Sequence, residues 1–160
     1  MEETVGARGR ETSDRRRVVP TREQLTSWRS FLRAHAGITK QLETELEIEQ
    51  QLSLAAYDVL VQLSEAPGHR LRMTELADAV LLSRSGVTRL VDRLERVGLV
   101  IRARVVADGR GVTAQLTDAG YERLRTAATT HLRGICRHFA DRLDPDDLAA
   151  LERISRKLVP

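Results

Sequence analysis

The stretch Ser83-Arg84-Ser85-Gly86-Val87-Thr88-Arg89-Leu90-Val91-Asp92-Arg93-Leu94-Glu95-Arg96-Val97-Gly98-Leu99 reads as one capped amphipathic helix. Ser83 is placed as its N-cap, the hydroxyl accepting from backbone N–H groups of the first turn. Gly98 stands where a left-handed residue stops a helix. At about 100° per residue, Val87, Leu90, Val91, Leu94 and Val97 form one apolar stripe. The other face carries Ser85, Thr88, Arg89, Asp92 and Arg96. It starts with short side chains and becomes cationic, which suits entry into a DNA major groove. A solvated face on a core helix has the same composition, so the flanking segments decide between the two.

Upstream, Ser53 caps a helix that runs to Glu65, with Tyr57, Leu60, Val61 and Ser64 along one face. Ala66-Pro67-Gly68 ends it. Leu71-Arg72-Met73 is a short extended piece. Thr74 then caps a third helix to about Leu81, with Leu76, Ala77 and Val80 inward. Leu82 and Ser83 leave almost no loop before the next helix. Two short helices joined this tightly, the second polar at its start, form a helix-turn-helix signal. Downstream, residues 100–106 are β-prone, with Arg102 and Arg104 on one side. Asp108-Gly109-Arg110-Gly111 supplies a turn, and residues 112–116 alternate as the return strand. A helix-turn-helix followed by such a hairpin is a winged helix. Its tip is placed to enter an adjacent minor groove, and Arg110 has the reach and the charge to do so. Asp108 either aims Arg110 by pairing with it or is an ordinary turn acid.

The outer segments are long helices. Thr21 with Gln24 three residues on is a capping-box pattern. From there to Gln50, Leu25, Trp28, Leu32, His35, Thr39, Leu42 and Leu46 recur at alternating spacings of three and four, widened by Phe31 and Ile38. His35 and Thr39 interrupt this seam and need partners, either across an interface or in a ligand pocket. Thr117 caps a fifth helix to about Leu143, with Leu124, Ala128, Leu132, Ile135 and Phe139 in register. Asp144-Pro145-Asp146-Asp147 starts a last helix carrying Leu148, Leu151, Ile154 and Leu158. These apolar seams are wider than the central module requires, and dimerisation is their natural use.

Composition bounds the function. Aromatics are only 3% of the 160 residues, so the core is aliphatic, which favours helices. The net charge is +3, yet residues 83–111 alone hold seven arginines against Asp92, Glu95 and Asp108. The basic excess is therefore concentrated on the central module, as nucleic-acid binding requires. A single cysteine, Cys136, excludes an internal disulfide and fits a reducing compartment. No membrane-length apolar run and no signal-peptide pattern occur, so a cytoplasmic location is expected. The histidines adjoin no nucleophile motif and no phosphate loop is present, so neither catalysis nor a cofactor or metal is expected.

The ordered set is similar to the MarR family of bacterial transcription regulators. The residues that carry the resemblance are Leu76-Ala77, the run from Ser83 to Glu95, Gly98-Leu99-Val100 with Arg102, Asp108-Gly109-Arg110, and Leu116-Thr117-Asp118-Ala119-Gly120. The resemblance implies a mainly α fold with a small β-hairpin, a winged helix-turn-helix flanked by long dimerisation helices. Residues 1–20 would be a disordered tail, in which Arg15-Arg16-Arg17 could touch phosphates, and 21–52 a dimerisation helix. Residues 53–116 would form the DNA-binding lobe, and 117–160 the C-terminal dimerisation helices. It implies a homodimeric, ligand-responsive repressor on a pseudo-palindromic duplex operator, its recognition helices in successive major grooves. Base-edge candidates are then Arg84, Ser85, Thr88 and Arg89, with Arg89 placed on guanine. Ser83 and Thr74, at helix starts, suit phosphates. Arg93 and Arg96 lie deeper and meet phosphates or pair with Asp92. The family's small aromatic or anionic effectors would enter a cleft near His35, Thr39 and Tyr57.

The alternatives are a metal-responsive regulator through His131 and His138, a redox-responsive one through Cys136, and a winged helix that binds protein alone. Seven residues separate the two histidines, two helical turns rather than one. Cys136 is read as an inert thiol on an apolar face. The arginines at 84, 89 and 110 argue against a protein-only surface.

Overall fold

The computed structural model describes residues 19–80, 82–104 and 111–158. Asp108, Arg110, Leu81 and the run Arg15-Arg16-Arg17 lie outside the described residues. In chain order the elements are α1 (Arg22–Gln50), α2 (Leu54–Glu65), β1 (Arg70–Arg72), α3 (Met73–Ala79), α4 (Arg84–Arg96), β2 (Val100–Arg104), β3 (Val112–Leu116), α5 (Asp118–His138) and α6 (Pro145–Ser155). The protein is mainly α with a small antiparallel sheet of strand order β1-β3-β2. The expected hairpin thus gains a third strand. Arg70–Arg72 pairs with β3 through Arg70 opposite Gln115 and Arg72 opposite Thr113, while Val100 of β2 faces Leu116.

By contacts the chain divides into residues 1–35 and 36–160. In the first unit the capping box forms. Thr21 N–H donates to Gln24 Oε1 at 2.8 Å, and Gln24 N–H to Thr21 Oγ1 at 3.2 Å. Trp28, Phe31 and Leu32 follow with 54%, 48% and 43% of their surface exposed. His35 is exposed too, and extends an aromatic row on the helix surface, its ring 6.4 Å from Phe31.

The second unit holds the core. Leu46, Val59, Leu60, Leu63, Leu76, Val87, Val91, Val100 and Ala114 are fully buried in one cluster. Each aliphatic side chain taken out of water there contributes about 1.5–3 kcal/mol before chain entropy is counted. Helix limits follow from caps. Ser53 accepts from Ala56 N–H and Thr117 from Gly120 N–H. The third helix begins two residues earlier than expected. Glu75 reaches back to the Arg72 N–H at 2.9 Å, so Arg72 takes the cap position and Thr74 lies within the first turn. The fifth helix stops at His138 rather than near Leu143. Phe139 leaves helical geometry, a single 3₁₀ turn spans Ala140–Arg142, and Asp144 accepts from Asp147 N–H to start α6. Leu132 is 58% exposed in the single chain.

Polar side chains fasten α5 to α1. Glu49 pairs with Arg133, Glu45 with Arg137 at 2.7 Å, and His138 Nε2 donates to Glu45 at 2.8 Å. Thr130, 2% exposed, donates to Glu49 and accepts from Gln50. The two helices approach closely at Gly134, where a Cβ would stand 2.7 Å from Leu42 Cδ2. The His138 hydrogen bond, helped by Arg137, holds the Glu45 carboxyl below its ordinary value against the opposing effect of burial.

Candidate nucleic-acid interface

Helix α4 is held at three points, and these fix which face it presents. At its start, Ser83 Oγ accepts from Gly86 N–H at 3.1 Å. At its end the chain makes a Schellman turn. Gly98 takes φ +75°, its N–H donates to the Glu95 carbonyl at 3.0 Å, and Leu99 N–H donates to Leu94 at 2.9 Å. The Thr117 hydroxyl donates to the Gly98 carbonyl at 2.7 Å, so α5 is latched to this turn at its first residue. A Cβ on Gly120 would stand 2.1 Å from the Leu99 carbonyl oxygen, which is why only glycine fits there.

The third point is Arg102 on β2. Its guanidinium pairs with Asp92, reaches Glu95 Oε2 at 3.1 Å and donates to the Thr88 carbonyl at 3.0 Å. The Arg102 N–H also donates to Glu95 Oε1 at 3.1 Å. Arg102 is thus an internal clamp between α4 and the sheet rather than an outward hairpin cation. It is also the partner of Asp92, a place the sequence reading offered to Arg93 and Arg96. One signal for it was present: Asp92 and Glu95 are the only acids in an otherwise cationic helix, and they sit one turn apart.

With those anchors, Val87, Leu90, Val91 and Leu94 are buried at 0–4% exposure, while Val97 escapes the stripe at 67%. Val97 is the residue at which the helix unwinds, which turns its side chain to solvent. Opposite the buried stripe, Ser85, Thr88, Arg89 and Arg96 are exposed, with Arg84 and Arg93 exposed on the flanks. The Thr88 hydroxyl donates to the Arg84 carbonyl at 2.8 Å and keeps its acceptor lone pairs outward. Thr74, at the start of α3, lines with Thr88 and Arg102 a groove of about 750 Å³ between the helix pair and the sheet. Ser83 thus caps α4, Ser85, Thr88, Arg89 and Arg93 are exposed along it, and Thr74 shares the groove with Thr88.

A second concavity of about 570 Å³ lies among α1, α2 and α5. Thr39 and Tyr57 line it together with Glu43, Asp58 and His131, over walls of Leu54, Ala55 and Val61. The Tyr57 and His131 rings meet at 4.5 Å. Burial pushes the Asp58 carboxyl up, opposed by its hydrogen bond to Gln62, and burial pushes the His131 imidazole down. His35 is not among the described lining residues; Glu43 and Asp58 were not singled out from sequence, and His131 was weighed there only as a metal ligand. Their residue types carry no local motif, and only the helix packing brings them together. Cys136 is exposed in the single chain. Among the described residues no cluster of three metal-ligating side chains occurs, and none of their helices is long and apolar enough to cross a membrane.

A helix-turn-helix with a cationic outer face, backed by a three-stranded sheet whose last two strands pair antiparallel, defines a winged-helix DNA-binding protein. The MarR family model matches residues 50–111. Sco3205, a MarR family transcriptional regulator of Streptomyces coelicolor solved in complex with DNA, is 37% identical. The match covers 88% of each chain with a TM-score of 0.82. AbsC, a MarR family regulator of the same organism, is 36% identical over 88% of this chain and 94% of its own, TM-score 0.80. The transcriptional repressor MprA of Escherichia coli is 31% identical over 111 residues, 69% of this chain and 62% of MprA. The chain belongs to the MarR family and is a DNA-binding transcription regulator.

Proposed function

We propose that this regulator is a ligand-responsive repressor that binds a pseudo-palindromic operator as a homodimer. The observation that carries the DNA contact is the outer face of α4. Ser85, Thr88, Arg89 and Arg96 stand exposed over a fully buried stripe, and the one acid among them, Asp92, is already neutralised by Arg102. Arg89 would read guanine, Arg84, Ser85 and Thr88 neighbouring base edges, and Ser83, Thr74 and Arg93 phosphates. Arg110, aimed by Asp108, would enter the minor groove. The exposed Trp28, Phe31 and Leu32 of residues 21–52, and Leu132, Ile154 and Leu158 of residues 117–160, support burial between two copies. The likeness to MprA supports repression, and the cleft holding Thr39 and Tyr57 supports an effector site.

The test is selection of bound genomic duplexes followed by titration of the best one with wild type and Arg89→Ala. Losing a bidentate guanine contact costs about 1–3 kcal/mol against that base and little against its variants. The variant is expected to lose affinity and sequence preference together. A uniform loss across all duplexes would make Arg89 a phosphate contact and refute the assignment.

A further inference from the structure

The effector cleft has a chemical sign of its own. Its described lining contains no lysine and no arginine, but two carboxyl side chains, Glu43 and Asp58. Glu43 is fixed there, its Oε2 accepting the Leu54 N–H at 2.6 Å. Among the described lining residues the one ionisable nitrogen is His131, whose imidazole burial pushes down, against the pull of Asp58. A third acid, Glu65, adds to the negative field felt at Asp58 and Tyr57. His131 Nδ1 is buried without a hydrogen-bond partner, so the polar inner wall is unsatisfied. Apolar walls at Leu54, Ala55 and Val61 and the Tyr57 ring suit a flat ring system.

An anionic ligand entering here would meet the Glu43 carboxylate and the Asp58 carboxyl with no lysine or arginine among the described lining to pair with, a disfavoured arrangement. We infer that the cleft takes a flat cationic or N–H-rich aromatic ligand whose nitrogen donates to Asp58, in place of the anionic class that the family resemblance implies. This rests on the reading of the cleft as the effector site.

The experiment uses benzamidine and benzoate, one ring with opposite charges, titrated calorimetrically into the full chain. Benzamidine is expected to bind at least tenfold tighter than benzoate. Asp58→Asn should remove that preference, with the melting temperature checking the fold. Thr39→Arg, which places a cation at the rim, should turn the preference towards benzoate and serves if Asp58→Asn unfolds. Benzoate binding as well as benzamidine, a preference indifferent to both substitutions, or no binding of either probe overturns the inference. Fluorescence anisotropy of a bound duplex separates the two levels. Benzamidine that binds without releasing DNA leaves the ligand class standing and removes the effector reading.

Discussion

Arg102→Met tests whether the clamp under α4 works as described. The substitution keeps the stem and removes the guanidinium. The lost contacts are the Asp92 pair, the Glu95 pair at 3.1 Å and the Thr88 carbonyl at 3.0 Å. The carboxylates are about two-fifths exposed, at 41% and 39%, so each pair takes a value in the lower part of the surface range. Two such pairs and one hydrogen bond sum to about 1–2 kcal/mol. For a chain of this size that lowers the melting temperature by about 2–8 °C. DNA binding falls for a separate reason, since Asp92 then faces the phosphates without its cation. A unit charge about 8 Å from a phosphate in water is worth about 0.5 kcal/mol before screening. With several phosphates in range, affinity drops about 3- to 10-fold at low salt, and less as salt rises.

The decisive measurement is the double-mutant cycle with Asp92→Asn, read by urea denaturation and by duplex titration. Coupling between the two positions is expected at about 0.5–1 kcal/mol. Adding Asp92→Asn to Arg102→Met should restore most of the lost affinity, because it removes the exposed charge. Strict additivity in stability, or a double variant that binds DNA no better than Arg102→Met, would refute the clamp and the masking of Asp92 together.

Two further outcomes follow from the geometry. Gly120→Ala should destabilise by about 1–3 kcal/mol in urea although alanine is the better helix former, because its Cβ would lie 2.1 Å from a backbone oxygen. Stability unchanged or raised would mean the latch between α5 and the Gly98 turn is loose. For His131, burial favours the neutral ring, so the unfolded chain binds its proton first. That stability is complete well above pH 6.5, the ordinary histidine value, and drains as pH falls through it. Denaturation midpoints of wild type and His131→Asn between pH 7.5 and 5 should converge towards the acid end. A constant gap would place His131 in water.

The helix-turn-helix was legible because its signals are local. Ser83 and Gly98 are caps that act within one turn, and the stripe at Val87, Leu90, Val91 and Leu94 follows from helical period alone. Errors fell where competing local signals or tertiary packing decided. Thr74 has a good cap side chain, but Glu75 reaching back to Arg72 sets the helix start two residues earlier. Val97 fits the period and is exposed because the helix ends there. The α1–α5 zipper was readable in part, since Glu45 and Glu49, like Arg133 and Arg137, are four residues apart and of opposite sign. The cleft was not readable, because Glu43, Asp58 and His131 come from three helices and meet only when these pack.

Helix α5 is the element common to the cleft and the recognition helix. His131 lines the cleft, and Thr117, the cap of the same helix, holds the carbonyl of Gly98 at the end of α4. Their separation of fourteen residues spans about 21 Å of helix. A helix of that length moves as a stiff rod, so a tilt imposed at His131 reaches Gly98 as a displacement of the α4 terminus. The near-contact of Gly120 with the Leu99 carbonyl leaves no slack to absorb it. Arg102 opposes the motion by fastening the middle of α4 to β2. If the cleft holds an effector as proposed, that effector would weaken DNA binding only to the extent that it prefers a displaced α5. Tight binding without that preference shifts no population, which makes ligand affinity and DNA release independent quantities in this fold.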